Sequence, residues 1–166
     1  MSSTCGRLNN RFLNLSNSVS SLIERRTVRS VASAMKKQKL KFTSHTANLA
    51  LMRGFVRKFL GDFPFSERDR ALIVLGVDEA CTNIIRYAYA MRDDRPIRLS
   101  IEAPRGCVRM RLRDYGEPIW KSLNELGSTR PKLGGRGIQM MRRAFDKVDY
   151  FYKPRGTELV LTKNLE

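Results

Sequence analysis

The sequence predicts an α+β domain, a two-layer sandwich in which helices cover one face of a mixed, mostly antiparallel sheet. Three observations lead there. Short segments near residues 39–42, 97–102, 108–113, 148–152 and 157–162 alternate or are strand-like in composition, which suits half-buried strands. Between them lie three segments whose apolar residues recur at three- and four-residue spacing. Packing helices onto one side of the strands is the simplest way for both kinds of segment to bury their apolar sides.

Leu40 and Phe42 alternate with Lys39 and Lys41 in a short first strand. Residues 44–48 supply capping side chains. Leu51, Met52, Phe55, Val56, Phe59 and Leu60 then recur at helical spacing until Gly61 stops the run, with Arg53, Arg57 and Lys58 on a basic outer face. Ser66 with Asp69 resembles a capping box, and the helix it opens runs through Leu72 and Leu75 to about Ala90. Asp93, Asp94 and Pro96 make a turn into a strand of Ile97, Leu99 and Ile101. After Pro104-Arg105-Gly106, Val108, Met110 and Leu112 face inward while Arg109, Arg111 and Arg113 face outward. Such an arginine row reads as a solvated face, as a protected edge, or as a site for an acidic partner.

From Asp114-Tyr115-Gly116-Glu117-Pro118 to Gly134 the chain is mostly polar and reads as a long mobile loop, a lid or a disordered insertion. Gly134-Gly135-Arg136-Gly137 follows, and Ile138, Met141 and Phe145 resume helical spacing with Arg142 and Arg143 outward. Glycines ahead of a helix let backbone N–H groups approach a phosphate, although a flexible loop explains them equally well when they are taken alone. Two last strands are joined by Lys153-Pro154-Arg155-Gly156.

The formal net charge is +16 over 166 residues, about half of it in the first 41. A balance of this size attracts nucleic acid, anionic membrane or an acidic protein. Residues 1–34, rich in Ser, Asn and Arg, read as a basic, poorly ordered and dispensable extension ahead of a domain over residues 35–166. A transit peptide, or translation starting at Met35, are the other readings of that stretch. Nucleic-acid binding would rest on charge alone, without interleaved aromatics or a reader motif, and is expected only through the extension. Cys5, Cys81 and Cys107 are too widely spaced to signal a disulfide framework or a zinc site, and His45 reads as a surface or capping residue. With no apolar run approaching the roughly 20 residues of a membrane span, and no secretory signal, a soluble, cytoplasmic protein is expected.

Glu79 and Asn83 put a carboxylate and a carboxamide one turn apart on the same face of a helix whose other positions, Val77, Ala80, Cys81, Ile84, Ile85 and Ala88, are apolar. Polar side chains in such a setting need partners. A core helix with two satisfied polar residues is one answer, and a magnesium-bound nucleotide is the other. Order and context favour the second. Glu-x-x-x-Asn on a helix, Asp-x-Gly-x-Pro after a strand, a lid, and Gly-Gly-x-Gly before a helix together resemble the GHKL (Bergerat-fold) ATP-binding family. The short domain is most similar to the anti-sigma factor serine kinases of that family, over about residues 38–164.

The resemblance implies ATP and Mg²⁺ as cofactors, with Asn83 coordinating the metal and Glu79 acting as general base or orienting the nucleophile. It places Asp114 on the adenine amino group, Gly116 close to the base, and Gly156-Thr157 beside the adenine pocket. Gly135 and Gly137 become the lid hinge and phosphate contacts, and Arg130 or Arg136 meets the γ-phosphate. The implied function is an anti-sigma regulatory factor that sequesters a sigma factor and phosphorylates a STAS-type antagonist on serine, working as a homodimer. A catalytically inactive ATP-binding module that selects protein partners by nucleotide state is the alternative. Two departures stand out: Tyr87 occupies a position where many relatives have His, and this chain is basic where relatives are often acidic.

Overall fold

The computed structural model describes residues 36–117 and 136–165. Strand β1 spans Lys37–Thr43, helix α1 Asn48–Leu60 and helix α2 Glu67–Asn83, which continues into a π-helical turn at Ile84–Ala88. Strands β2 (Pro96–Glu102) and β3 (Cys107–Arg113) follow, and helix α3 (Arg136–Ala144) leads into β4 (Lys147–Tyr152) and β5 (Thr157–Asn164). The sheet order is β1-β2-β3-β5-β4, and all four pairings are antiparallel. The expected extension over residues 1–34 and the expected lid lie outside the described residues.

Alternation decides which face of the sheet is covered. Phe42, Ile97, Leu99, Ile101, Val108, Met110, Leu112, Leu159 and Leu161 are buried, and they share one core with Met52, Val56 and Phe59 of α1, Ile73 and Val77 of α2, and Met141 of α3. At roughly 1.5–3 kcal/mol for each fully buried aliphatic side chain, this layer is the main source of stability. The strand residues between them point to the other face, which no described helix covers: Lys39 and Lys41 on β1, Arg98 on β2, and Arg109 and Arg111 on β3. Because β3 lies between β2 and β5, its arginine row does not protect a sheet edge. Arg109 and Arg111 both pair with Glu102 of β2, at 3.6 and 2.8 Å.

Local chemistry sets the helix ends. Ser66 caps α2 by accepting the Asp69 N–H at 3.1 Å, and its hydroxyl donates to the Asp69 carboxylate instead of leaving that side chain to reach back to the cap backbone. His45 lies on the surface, one of the two roles expected for it, and its Nδ1 accepts the Ala47 N–H at 3.2 Å just ahead of α1, whose N-cap Ala47 has no side-chain cap. Gly61 ends α1 as expected, with an ordinary right-handed φ of −58° and its N–H bonded to the Arg57 carbonyl. Helix α2 also changes form earlier than expected. Regular α-helix stops at Asn83, and the chain leaves the π turn through Ala90 and Met91, both at positive φ. No helix among the described residues is long and apolar enough to cross a membrane.

Candidate functional site

Glu79 and Asn83 lie on α2 as the sequence requires, both half-buried. Two contacts hold this part of α2 in place. Arg53 of α1 donates to Asp78 at 2.8 Å. On the other side, Gly76 lets α3 approach closely: a Cβ there would lie 2.8 Å from Phe145 Cε2 and 3.0 Å from Ala144 Cβ. One turn further along, Gly137 at the start of α3 packs against the Glu79 side chain, and a Cβ on Gly137 would overlap the Glu79 carboxylate. Among the described residues neither the Glu79 carboxylate nor the Asn83 carboxamide has a hydrogen-bond or ion-pair partner, so the reading of two polar residues satisfied inside a core gains no support from these contacts.

Asp114, at the end of β3, is 3% exposed. Its two carboxylate oxygens accept the N–H groups of Gly116 (3.0 Å) and Thr157 (3.2 Å), while its own N–H donates to the Thr157 carbonyl at 3.1 Å. Burial raises its carboxyl above the ordinary aspartate range, and the Gly116 and Thr157 N–H groups oppose that shift. The carboxylate keeps lone pairs for a further donor. Beside it the Thr157 hydroxyl is buried and, among the described residues, without a partner, in a protein where buried polar groups are normally paired. A vacant acceptor next to an orphaned hydroxyl suits a small polar ligand group.

The turn that carries Asp114 is held from three directions. Ala88, the last residue of the π turn, accepts the Glu117 N–H at 3.0 Å, and Gly116 lies so close to the Ala88 carbonyl that a Cβ would overlap it. Tyr89, buried just beyond the π turn, donates its hydroxyl to the Pro96 carbonyl at 2.5 Å and accepts the Tyr115 N–H at 2.8 Å. Burial pushes that hydroxyl up to about 12. Arg113 reaches along the end of the sheet to the carbonyls of Asp114, Thr157 and Arg155, and its guanidinium lies 4.5 Å from the centre of the Tyr115 ring. Gly156, at φ +73°, closes the β4–β5 hairpin against the Asp114 carbonyl.

The structure therefore brings Asp114, Gly116 and Thr157 together, brings Glu79 against Gly137, and joins the two groups through the π turn that follows Asn83. Arg130 and Gly135 lie outside the described residues, as does the side chain of Arg136, which opens α3. Tyr87, at the position where a His was expected from the resemblance, sits half-buried on the π turn with Arg86 over its ring at 5.9 Å. Sequence reasoning missed the π turn, the Tyr89 bridge and the Arg113 clamp. A cleft of about 520 Å³ opens between residues 115–117 and the 153–156 hairpin and does not reach Glu79 or Asn83. The chemistry of the site is therefore argued from its donors and acceptors and not from that cleft.

Among the described residues no three His, Cys, Asp or Glu side chains cluster to hold a metal. A single amide such as Asn83 is nevertheless the kind of ligand Mg²⁺ uses when substrate phosphates and water supply the rest of its shell.

Comparison with known proteins bears on the family and the fold. Residues 42–163 match the family model of the histidine kinase-like ATPase domain. The anti-sigma F factor of Clostridium botulinum strain Eklund 17B is 30% identical over 115 residues, covering 66% of this chain and 80% of that protein. The anti-sigma F factor of Clostridium novyi is 24% identical over 136 residues, covering 78% and 95%. Among solved structures, the RsbU and RsbW domains of a Mycobacterium tuberculosis protein superpose with a TM-score of 0.59 at 20% identity, over 78% of this chain and 32% of that one, a likeness of fold. With its family match spanning most of the chain, and with the Glu79/Asn83 helix, the Asp114 turn and Gly137 assembled as described, the protein belongs to the histidine kinase-like (GHKL) ATPase family, beside the anti-sigma factors.

Proposed function

We propose that this protein is an anti-sigma regulatory factor with ATP-dependent serine kinase activity, which phosphorylates a STAS-type antagonist and, in its other state, sequesters a sigma factor. The observation that carries the proposal is the buried Asp114 carboxylate, held by two backbone N–H groups beside the orphaned Thr157 hydroxyl. That pair fits the amino edge of an adenine. Asp114 accepts the amino hydrogen directly, Thr157 offers a hydroxyl to a ring nitrogen or a bridging water, and Gly116 leaves room for the base.

Asn83 and the start of α3 would receive the phosphates; Asn83 would hold Mg²⁺, which would supply neutralisation of the phosphate charge when bound. Gly137 brings the first turn of α3 to the site, where helix N–H groups favour anions. Glu79 would take the proton of the acceptor serine as the serine oxygen bonds to the γ-phosphorus and the bond to the departing ADP oxygen breaks, or would orient that hydroxyl; its side chain packs half-buried against Gly137. Gly135, Arg130 and Arg136 belong to the same proposal as the lid hinge and γ-phosphate contacts. The sigma factor, the antagonist, a homodimeric state and a cytoplasmic location are likewise part of this reading.

Incubating the protein with labelled Mg-ATP and a candidate antagonist tests it. Transfer to a serine is expected, abolished by Glu79→Ala with ATP binding retained and by Asn83→Ala with binding impaired. ATP binding with no transfer to any cognate antagonist, and partner affinity that survives Glu79→Ala, would replace the kinase with a nucleotide-sensing module.

A further inference from the structure

The sheet face opposite the helices is a basic lattice. Lys41 lies across from Arg98, and Arg98 across from Arg113; one step along, Lys39 is opposite Ser100 and Ser100 opposite Arg111. Strands are about 4.8 Å apart and alternate residues on a strand about 6.7 Å apart, which sets the spacing of the attachment points, while the Arg98 and Arg113 guanidiniums converge on the Tyr115 ring. Glu102 ties Arg111, Arg109 and Lys37 into one ion-paired group, which holds the guanidinium heads in place. Among the described residues Lys39 and Lys41 have no ion-pair partner. Acids on this face are few: Glu102, then Asp149 and Glu158 toward β4.

Charge selects the occupant. Residues 1–35, which precede β1 in the sequence, carry Arg7, Arg11, Arg25, Arg26 and Arg29 against a single Glu24, the same sign of charge as the face, which would repel them. A second copy would set the same cations against each other. An acidic protein would require an interface core that is apolar and depleted of charge, whereas the apolar residues here are the buried Val160 and, at the β4 margin, Phe151. A membrane surface would call for an apolar anchor as well. Single-stranded nucleic acid would use free aromatic faces, but the Tyr115 ring is occupied by Arg98 and Arg113, at 5.3 and 4.5 Å. Interfaces with duplex DNA are polar, strongly cationic and dominated by phosphate contacts.

We propose that the uncovered face of the sheet binds duplex DNA through its phosphates, without sequence preference. Nothing in this depends on nucleotide binding at Asp114.

The test is fluorescence anisotropy of a labelled duplex of about 20 base pairs, titrated with the full chain between 50 and 200 mM salt, where affinity should fall steeply with salt. Lys39→Glu with Lys41→Glu should weaken binding at least tenfold and make the log–log salt slope shallower by roughly 2. Arg57→Glu with Lys58→Glu on the exposed face of α1 changes net charge equally and should cost less than about threefold. Thermal melts check the fold of each variant, and Lys39→Gln with Lys41→Gln, a gentler change, should give an intermediate loss. Equal losses from the two glutamate pairs would overturn the proposal, as would loss confined to a variant with Arg25, Arg26 and Arg29 changed to Gln. Tighter binding to duplex RNA, to polyglutamate or to phosphatidylserine vesicles at matched charge would overturn it too.

Discussion

Replacing Gly137 with alanine asks whether the position of Glu79 matters to the chemistry. The added Cβ would overlap Glu79 Oε1 and would lie 2.5 Å from Cδ and 2.7 Å from Cγ, so the carboxylate has to rotate away. The obstacle is the far end of a flexible side chain, and the fold can absorb it. An off-rotamer glutamate costs about 0.5–1.5 kcal/mol, while alanine in place of glycine in a helix returns up to about 1 kcal/mol. The melting temperature should therefore move by no more than about 5 °C. Activity should respond quite differently. A general base contributes roughly 10²–10⁴-fold, and a displacement of about 1 Å is enough to lose 10²-fold, which corresponds to about 2.7 kcal/mol of barrier. Single-turnover phosphotransfer at saturating ATP reads this loss directly. The cycle with Glu79→Ala is the control, because once the carboxylate is gone Gly137→Ala should cost nothing more. A Gly137→Ala protein that keeps its rate within about threefold, or one whose loss adds fully to that of Glu79→Ala, would refute the reasoning.

Three further outcomes follow from the site and the sheet. Tyr89→Phe leaves the Pro96 carbonyl and the Tyr115 N–H without their shared hydroxyl and should cost about 1–3 kcal/mol in chemical denaturation, with weaker ATP binding. Gly156→Ala meets both a φ of +73° and the Asp114 carbonyl, and should destabilise by more than about 2 kcal/mol in the same assay, since the obstacle is backbone. Asp114 gives a pH dependence whose sign differs between folding and binding. Its carboxyl is raised by burial in the folded protein, so its contribution to stability is fully present below the unfolded value of about 3.9 and is lost as pH rises through the raised one. Adenine binding needs the ionised form, so ATP affinity measured by calorimetry should fall as pH drops through that raised value, and a flat profile would contradict the role of Asp114.

The fold was legible wherever a periodic apolar pattern met a clear stop. Alternation in residues 97–112 identified β2 and β3, and the Ser66–Asp69 pair located the start of α2, because those signals are local. The π turn was not legible: Ile84, Ile85 and Ala88 continue the helical pattern unbroken, and the residues at positive φ beyond it, Ala90 and Met91, are not glycines. Of the site, Glu79 and Asn83 could be read from helical spacing, whereas Asp114 and Gly137 were reached through the resemblance of the ordered motifs to the GHKL family. Tyr89 and Arg113 could not, because each acts by bridging backbone groups that are brought together only when β2, β3 and the β4–β5 hairpin assemble. The arginine row on β3 could be recognised from the sequence, but whether it lay at an edge or in the middle depended on the pairing of β3 with β5, a contact across about 50 residues.

The central claim is that the buried Asp114 carboxylate receives the amino group of an adenine. Competition between ATP and inosine triphosphate, which carries a carbonyl oxygen in place of that amino group, tests it most directly. A hydrogen bond to a charged acceptor is worth about 1.5–3 kcal/mol, so ATP should bind the native protein at least tenfold more tightly, and the preference should vanish in Asp114→Ala. Equal affinities for the two nucleotides in the native protein would contradict the account.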